Sequence, residues 1–552
     1  MAEKYDAIVI GAGHNGMAAA QVLANENYKV LVLEKNAYVG GMAGTREIFK
    51  GCRNEVGASC LFPIADEILE YFAFEKNGVE FLELPVMAIN LVGQGHQPLI
   101  LYSNQRRQLW HILRYHGVAA MVGFVRLLQF LKYPASVMDR FTPGRIPRTL
   151  DQLLADAPTE KAREQLRLTF AGSAMDLIDK FFPDKQKHHT FRSLLAFAAI
   201  QSTYKGPYTP GSALCLVYTF AQSGQGGLMR RVKGGMGAMS EALVRSLESA
   251  GGEIRMKSSV DRILLEEGRA VGVSLKGGEE IRARVVLSNL DKPATFGRLV
   301  GEEYLDESLA SNIAKAEHRG AYVHMLFRLD GLPSYAGEWA SLNPDIHNRF
   351  GGAMVNAPEV LQASFETCDA GELPDWMPVA FQIPSIVDPS LAPEGQHIAS
   401  AYGFCFPCKA PKELRGALLD QAAEQVIEQI CSYMPDFRER IVDKAVFSSD
   451  HFATMHGATE GDFTHGLIHP ENMLGERTLV AGSAHRTPIE GLYLCGAACH
   501  PGPGVTFLPG YNCGWEVSRE IAKRHGDQVR GPDAAVGVEE VEDSPPRHRL
   551  AG

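Results

Sequence analysis

The first forty residues constrain this chain more than any others. Tyr5–Ile10 (YDAIVI) is an apolar, β-branched run that stops at Gly11. Gly11-Ala-Gly13-His14-Asn15-Gly16 follows, then the small and apolar MAAAQVLANE. A second apolar run, Tyr28–Leu33, ends on Glu34. Strand, GxGxxG, helix, strand and acid, in that order, make a dinucleotide-binding α/β unit, and each part has a mechanical reason. Gly11 permits a tight turn, Gly13 lets a diphosphate reach the backbone, and Gly16 lets helix and strand pack closely. The helix start, with His14 and Asn15 in its first turn, turns free N–H groups and a positive dipole end toward that diphosphate. Glu34, eighteen positions after Gly16, is placed to accept both ribose hydroxyls.

The glycines continue beyond the acid, in Lys35-Asn-Ala-Tyr-Val-Gly40-Gly41-Met42-Ala-Gly44. A nicotinamide site has no use for a second Gly-Gly turn there, whereas a longer ligand such as FAD does. GAGHNG followed by LEKNAYVGGMAGT resembles the flavin-containing amine oxidase and phytoene desaturase superfamily. In that group the glycine pair is often followed by Arg, so Met42 removes the electrostatic help such an Arg gives. The resemblance implies an α/β architecture with a Rossmann-type, amine-oxidase-like FAD-binding domain assembled from segments 1–90, 230–300 and 485–526. Segments 91–229 and 301–484 then form a mixed α+β substrate domain with a helical cap. Lys233–Glu241 opens a helix through Ser249, with Gly251-Gly252 as its cap. Short strands are expected over 253–256, 260–265, 271–275 and 285–288. In the superfamily a valine of this returning segment meets the adenine, and Val260 matches it; Ser288-Asn289-Leu290-Asp291 resembles the strand end beneath the flavin.

A last glycine cluster closes the pattern. Ile489–Cys495 is a strand running into Gly496-Ala497, then His500-Pro-Gly-Pro-Gly504-Val505-Thr506. Glycine and proline there let a loop lie flat on a planar ring, and a helix starting near Gly504 sets positive charge at the flavin N1/O2 edge. GLYLCGAACHPGPGV resembles the phytoene-desaturase branch, with its carotenoid desaturases, carotenoid isomerases and retinol saturases. It is most similar to the pyridine nucleotide-disulfide oxidoreductase domain-containing proteins of that branch. An NADPH-driven disulfide reductase is nevertheless not expected. None of Gly224–Gly227, Gly234–Gly237 and Gly502–Gly504 completes a second GxGxxG, and Cys52 and Cys60 do not form the CxxxxC pair.

Candidates for chemistry beside the ring are His500 and Tyr511, from the last cluster, and His465, which resembles a histidine before the final flavin strand in related proteins. A neutral histidine is a general base suited to neutral pH; the plainer role for each is ordering a loop. His465 and His469 are four apart, but Gly466 and Pro470 disfavour a helical metal face, and no metal is expected. Cys405-Phe-Pro-Cys408 is a lone CxxC best assigned to packing. Glu55 suits the flavin side or a buried structural role equally. Phe170, Phe181, Phe182, Phe191, Phe197, Phe220 and Phe404 would line an apolar substrate site or fill the core of the cap.

Charge and composition narrow the partners. A net charge of −11 and a pI near 5.9 argue against nucleic acid. Acids at Glu3 and Asp6 do not suit a secretory signal, so a cytoplasmic location is expected. Leu109–Met138 is the most membrane-like stretch. Arg114, Arg126 and Lys132 leave its apolar core, Gly117–Val125, short of the ~20 residues a span needs. Packing on the body is the preferred reading, and peripheral membrane contact the alternative. Residues 527–552 should be a disordered tail. The expected function is an FAD-dependent oxidoreductase that takes hydride from a C–H or C–N bond of an apolar small molecule and passes electrons to oxygen or a quinone-like acceptor. The alternatives are a redox-neutral isomerase or hydratase of a polyene, using reduced flavin, and a non-catalytic interaction protein stabilised by FAD.

Overall fold

A computed structural model describes residues 5–201, 204–222 and 229–525. The expected tail 527–552 and Gly224–Gly227 lie outside the described residues. Strand β1 (Tyr5–Ile10) runs through the Gly11 turn into helix α1 (His14–Asn25) and strand β2 (Val30–Leu33). β2 begins at Val30 rather than Tyr28 because the Tyr28 N–H donates to the Leu23 carbonyl (3.1 Å) and closes the end of α1. The chain then builds a helical layer that includes α2 (Gln105–Ser136) and α3 (Ala213–Gln222). Helix α4 (Gly237–Ser249) leads back to β3 (Glu253–Arg255), β4 (Val260–Glu266), β5 (Arg269–Leu275) and β6 (Glu280–Ser288). The expected strand 285–288 is the end of this longer β6, whose first half pairs with β5.

Residues 322–448 supply a second, antiparallel sheet: β7 (Tyr322–Leu329), β8 (Gly351–Met354), β9 (Val379–Gln382), β10 (His397–Phe404) and β11 (Ile441–Ser448), in the order β8-β9-β10-β7-β11. Strand β12 (Leu492–Leu494) and helix α5 (Leu508–His525) then return to the first sheet. That sheet has the order β4-β5-β6-β1-β2-β3, with β12 also beside β6. Its β12, β6, β1, β2 and β3 pair in parallel, and the apolar runs of β1, β2 and β12 are buried as central parallel strands require.

Register carries the functional consequence. Ile10 lies level with Leu33 on one side and Ser288 on the other. The next residues, Gly11, Glu34 and Asn289, therefore leave the sheet side by side at its carboxyl edge, where open α/β sheets bind ligands. The second sheet contributes its own alternation. Val323, Met325, Phe327 and Leu329 pack into a core with Val426, Ile427 and Ile430, while His324 on the other face stacks on Tyr402 at 4.2 Å between ring centroids.

Small residues hold α1 against α5. Ala18, Ala19 and Ala20 are fully buried. A Cβ on Gly510 would stand 1.9 Å from the Asn15 carbonyl oxygen, and one on Gly514 would stand 2.7 Å from Val22 Cβ. Gly510→Ala should therefore lower stability by about 1–3 kcal/mol through overpacking, despite alanine's better helix propensity. Gly416, exposed within the helix Lys412–Tyr433, has no atom within 4 Å of a Cβ; Gly416→Ala should add about 0.5–1 kcal/mol. Thermal melts of the two variants, moving in opposite directions, check the close approach; a Gly510→Ala protein melting with the wild type would refute it.

Candidate FAD site

One cavity of about 600 Å³ starts at the carboxyl edge of the first sheet and runs to the second sheet. Its near end is built by backbone. Gly11 has φ +95°, and Gly40 and Gly41 have φ +95° and +56°, conformations that glycine adopts without strain. The Gly40 N–H donates to the Ala12 carbonyl (2.8 Å), which brings the two glycine loops together. The Glu34 carboxylate accepts from Ala12 N–H and Asn36 N–H, each at 2.8 Å, and so is fixed at the cavity wall. Val260, Ser258, Asp261, Lys276 and Arg298 complete this end.

The far end has a different chemistry. Ala497, Pro503, Gly504 and Val505 form one wall, and Met42, Phe62, Tyr402, Phe404, Phe452 and Phe463 form much of the rest. Among the described residues the charged side chains on the whole wall are Glu34, Lys35, Asp261, Lys276 and Arg298; all belong to the near end. Histidines His14, His456 and His465 also line the cavity. Burial holds His14 down to about 4 and His456 to about 3, and it lowers His465 as well. At neutral pH all are uncharged. His14 Nε2 lies 3.2 Å from the Gly504 carbonyl oxygen and, as the donor, ties α1 to the last glycine loop.

His465 is held by Asp462, which is fully buried. The Asp462 carboxylate accepts from Thr464 N–H (2.8 Å) and Gly466 N–H (2.7 Å) and faces His318 Nδ1 at 3.4 Å. Burial raises the Asp462 carboxyl, but the bonds from His318 and Thr464 outweigh it and hold it below the usual carboxylate range. His465 Nδ1 is buried without a hydrogen-bond partner and its side chain faces the cavity.

Two further cations went unseen in the sequence because they lie in segments without a motif. Arg140 Nη1 donates to the Pro503 carbonyl (2.8 Å) and to the Tyr218 hydroxyl. Arg477 donates to the Ala497 carbonyl (2.5 Å) and to the Gly466 carbonyl (2.7 Å). Both are buried without an ion pair to a described carboxylate, and burial lowers both. They hold the loop 497–504 by its carbonyls and put positive charge behind it.

Of the residues singled out from the sequence, Gly11, Gly13, His14, Asn15, Glu34, Lys35, Gly40, Gly41, Met42, Val260, Asn289, Ala497, Gly504, Val505 and His465 line this one cavity. Gly16 and Gly496 stand just behind it. A Cβ on Gly16 would lie 2.1 Å from the Gly11 carbonyl oxygen, and one on Gly496 2.7 Å from that of Asn289. Two expectations need correction. Tyr511 is off the cavity wall: its position on α5 points it at Tyr71 and Trp515, and its hydroxyl donates to Glu67 at 2.8 Å. His500 is buried behind the loop beside His485 and Arg477, while the loop presents Pro503–Val505 to the cavity. Glu55 is structural, in a buried ion pair with Arg231. Of the seven phenylalanines only Phe404 is on the wall; Phe170, Phe182, Phe191 and Phe197 are core. Cys405 and Cys408 are free and buried, and burial pushes the Cys405 thiol up to about 12, an unreactive packing residue.

The wall fits FAD. No side chain caps the N-terminus of α1, so its first N–H groups are left for a diphosphate. Asn15, on the cavity wall, has its Oδ1 buried without a partner. A Cβ on Gly13 would meet Asn289 Nδ2 at 2.7 Å, and one on Gly41 would meet Gly13 Cα at 3.3 Å, so the cradle has room for a ligand only while these stay glycine. Glu34 and Val260 suit the ribose and adenine, and Ala497–Val505 the ring. Fold and site together define a flavoprotein of the α/β FAD-binding class. The family model for flavin-containing amine oxidoreductases matches residues 16–294, and the chain belongs to that family; FAD is its cofactor. The chain is 27% identical to rat (Rattus norvegicus) pyridine nucleotide-disulfide oxidoreductase domain-containing protein 2, over 94% of each chain. It is also 27% identical to chloroplastic prolycopene isomerase 2 of an Oncidium hybrid cultivar, over 97% of this chain and 87% of that one. An oxidoreductase structure from Methanosarcina mazei superposes with a TM-score of 0.57 at 16% identity, covering 92% of this chain and 98% of that one.

Gly13→Ala should yield protein purified with much less flavin at unchanged secondary structure, read by absorbance and circular dichroism. The histidines set an acid limit. His14 and His456 are held at about 4 and about 3 in the folded chain against about 6.5 unfolded. Between those values the unfolded chain binds more protons, so stability is full above pH ~6.5 and falls as pH drops toward 4. Thermal melts across that window should show the fall, and His456→Gln should flatten it.

Proposed function

We propose that this protein removes hydride from a C–H bond of a neutral, apolar small molecule and leaves a carbon–carbon double bond. The observation that carries this reading is the charge distribution on the wall. The ring end is aromatic and, among the described residues, offers no carboxylate to hold a substrate ammonium. Its histidines are neutral. FAD held there would supply the two-electron redox chemistry, with oxygen or a quinone-like molecule as the final acceptor. The protein's share is to orient an apolar chain against Tyr402, Phe404 and Phe463, to exclude water, and to take a proton at His465 from the neighbouring carbon as the hydride leaves.

The resemblance to prolycopene isomerase supports a second reading, a redox-neutral rearrangement of a polyene that needs the flavin already reduced. Anaerobic addition of neutral isoprenoid hydrocarbons and of primary amines separates these cases. The proposal expects the visible flavin band to bleach with a hydrocarbon and not with amines; bleaching by amines alone would overturn it. Turnover of a polyene only after prior reduction with dithionite would favour the isomerase. His465→Gln should slow bleaching by about a hundredfold with flavin content unchanged.

A further inference from the structure

Thirteen large apolar side chains are exposed on the described surface, and seven of them (Leu109, Trp110, Leu113, Tyr115, Val118, Val122 and Val125) belong to helix α2. Single exposed apolar residues need no explanation, but a continuous patch does. The opposite face of α2 is ordinary core: Ile112, Ala120, Leu127 and Leu131 are buried. Contrary to the expectation from the sequence, α2 is long and apolar enough by length and composition to cross a bilayer, but that buried face commits it to the protein body, which leaves one side to be covered. Trp110 is 58% and Val118 66% exposed. Within α2, Trp110 and Leu113 share a face before Gly117, and Val118, Val122 and Val125 share one after it. Gly117, at φ +84°, is non-helical and separates the two halves of this exposed apolar stripe.

The charges around the stripe indicate what covers it. From residue 84 to residue 138 the chain has no Asp or Glu, although its net charge is −11. Arg106, Arg114, Arg126 and Lys132 are all exposed on α2, and none makes an ion pair with a described carboxylate. Arg107 does, at 3.7 Å from Asp345. An apolar stripe bordered by such cations on an otherwise acidic protein matches the boundary of an anionic bilayer, where Trp and aliphatic side chains enter the acyl region and Arg and Lys meet headgroup phosphates. We propose that α2 docks the protein on the surface of an anionic membrane. Helix α2 also packs against α3, and α3 carries Thr219 and Gln222 on the cavity wall. The membrane would then lie one helix away from the site, a short path for a lipid-soluble substrate. The docking claim itself does not depend on the substrate reading.

Flotation of the flavin-loaded full chain with vesicles of pure phosphatidylcholine, or of phosphatidylcholine mixed with phosphatidylglycerol, tests it. The protein should float with the mixed vesicles and not the neutral ones, and raised salt should release it. Trp110→Asp/Val118→Asp should abolish flotation. Arg114→Gln/Arg126→Gln should weaken it at least about tenfold. Both variants should keep wild-type flavin content and melting temperature, since the altered side chains are exposed. Brominated lipid should quench tryptophan emission in the wild type and not in Trp110→Phe. No flotation with either vesicle overturns the proposal. So does a dimer in light scattering that Trp110→Asp/Val118→Asp converts to monomer without any vesicle binding, which would make the stripe a contact between two copies.

Discussion

Asn289 sits at the one place where all parts of the FAD domain meet. Its side chain lies 3.6, 2.7 and 3.0 Å from where Gly11, Gly13 and Gly16 would each carry a Cβ, and its carbonyl lies 2.7 Å from where Gly496 would carry one. The first segment of the domain therefore closes on the middle segment through glycines, and the last segment closes on the same residue from the other side. Parallel pairing of β6 with β1 and β12 brings the three segments together; the absent side chains allow them to touch. At Gly13, Gly16 and Gly496 nothing larger than hydrogen fits without moving a neighbour, and the cavity keeps its shape for that reason.

The same closeness explains the division of labour along the cavity. Where backbone approaches backbone, polar N–H groups and the fixed Glu34 carboxylate can meet a charged, hydroxylated ligand. Further out, strands of the second sheet present alternate residues, so aromatic side chains such as Tyr402 and Phe404 face the cavity while Ala401 and Ala399 are buried in the core behind them. Charge is concentrated at one end, and the ring end is left to apolar contacts, neutral histidines and the two buried guanidinium groups of Arg140 and Arg477. Those cations reach the loop 497–504 only through its carbonyls, which lets them lend positive potential without occupying the cavity.

The sequence was most legible where glycine and strand pattern decide the backbone. The GxGxxG turn, the second glycine pair, Glu34 and the loop from Ala497 to Val505 meet at one cavity because local geometry placed them, whereas Val260 follows from the family resemblance. It was least legible where a side chain's direction depends on packing between distant segments. Tyr511 follows Gly510, which must face α1, so the helical turn sends Tyr511 toward α1's neighbours Tyr71 and Trp515 instead. His500 lies in the middle of the loop 497–504, between Ala497 and Pro503, the residues through which that loop reaches the cavity wall. Arg140, Arg477 and Tyr402 belong to segments with no motif, and only the folded chain carries them to the ring end. The stretch Leu109–Met138 reads as membrane-like in the sequence, but which of its sides the body covers depends on the packing of Ile112 and Leu127.

The most direct test is the structure of the flavin-loaded protein at a resolution that shows the ligand. The diphosphate should lie against the first N–H groups of α1, the ribose hydroxyls at Glu34, and the isoalloxazine between the loop Ala497–Val505 and the aromatic wall of Tyr402 and Phe404. A flavin whose ring lies away from that loop, or a diphosphate held by side chains elsewhere, would contradict this placement.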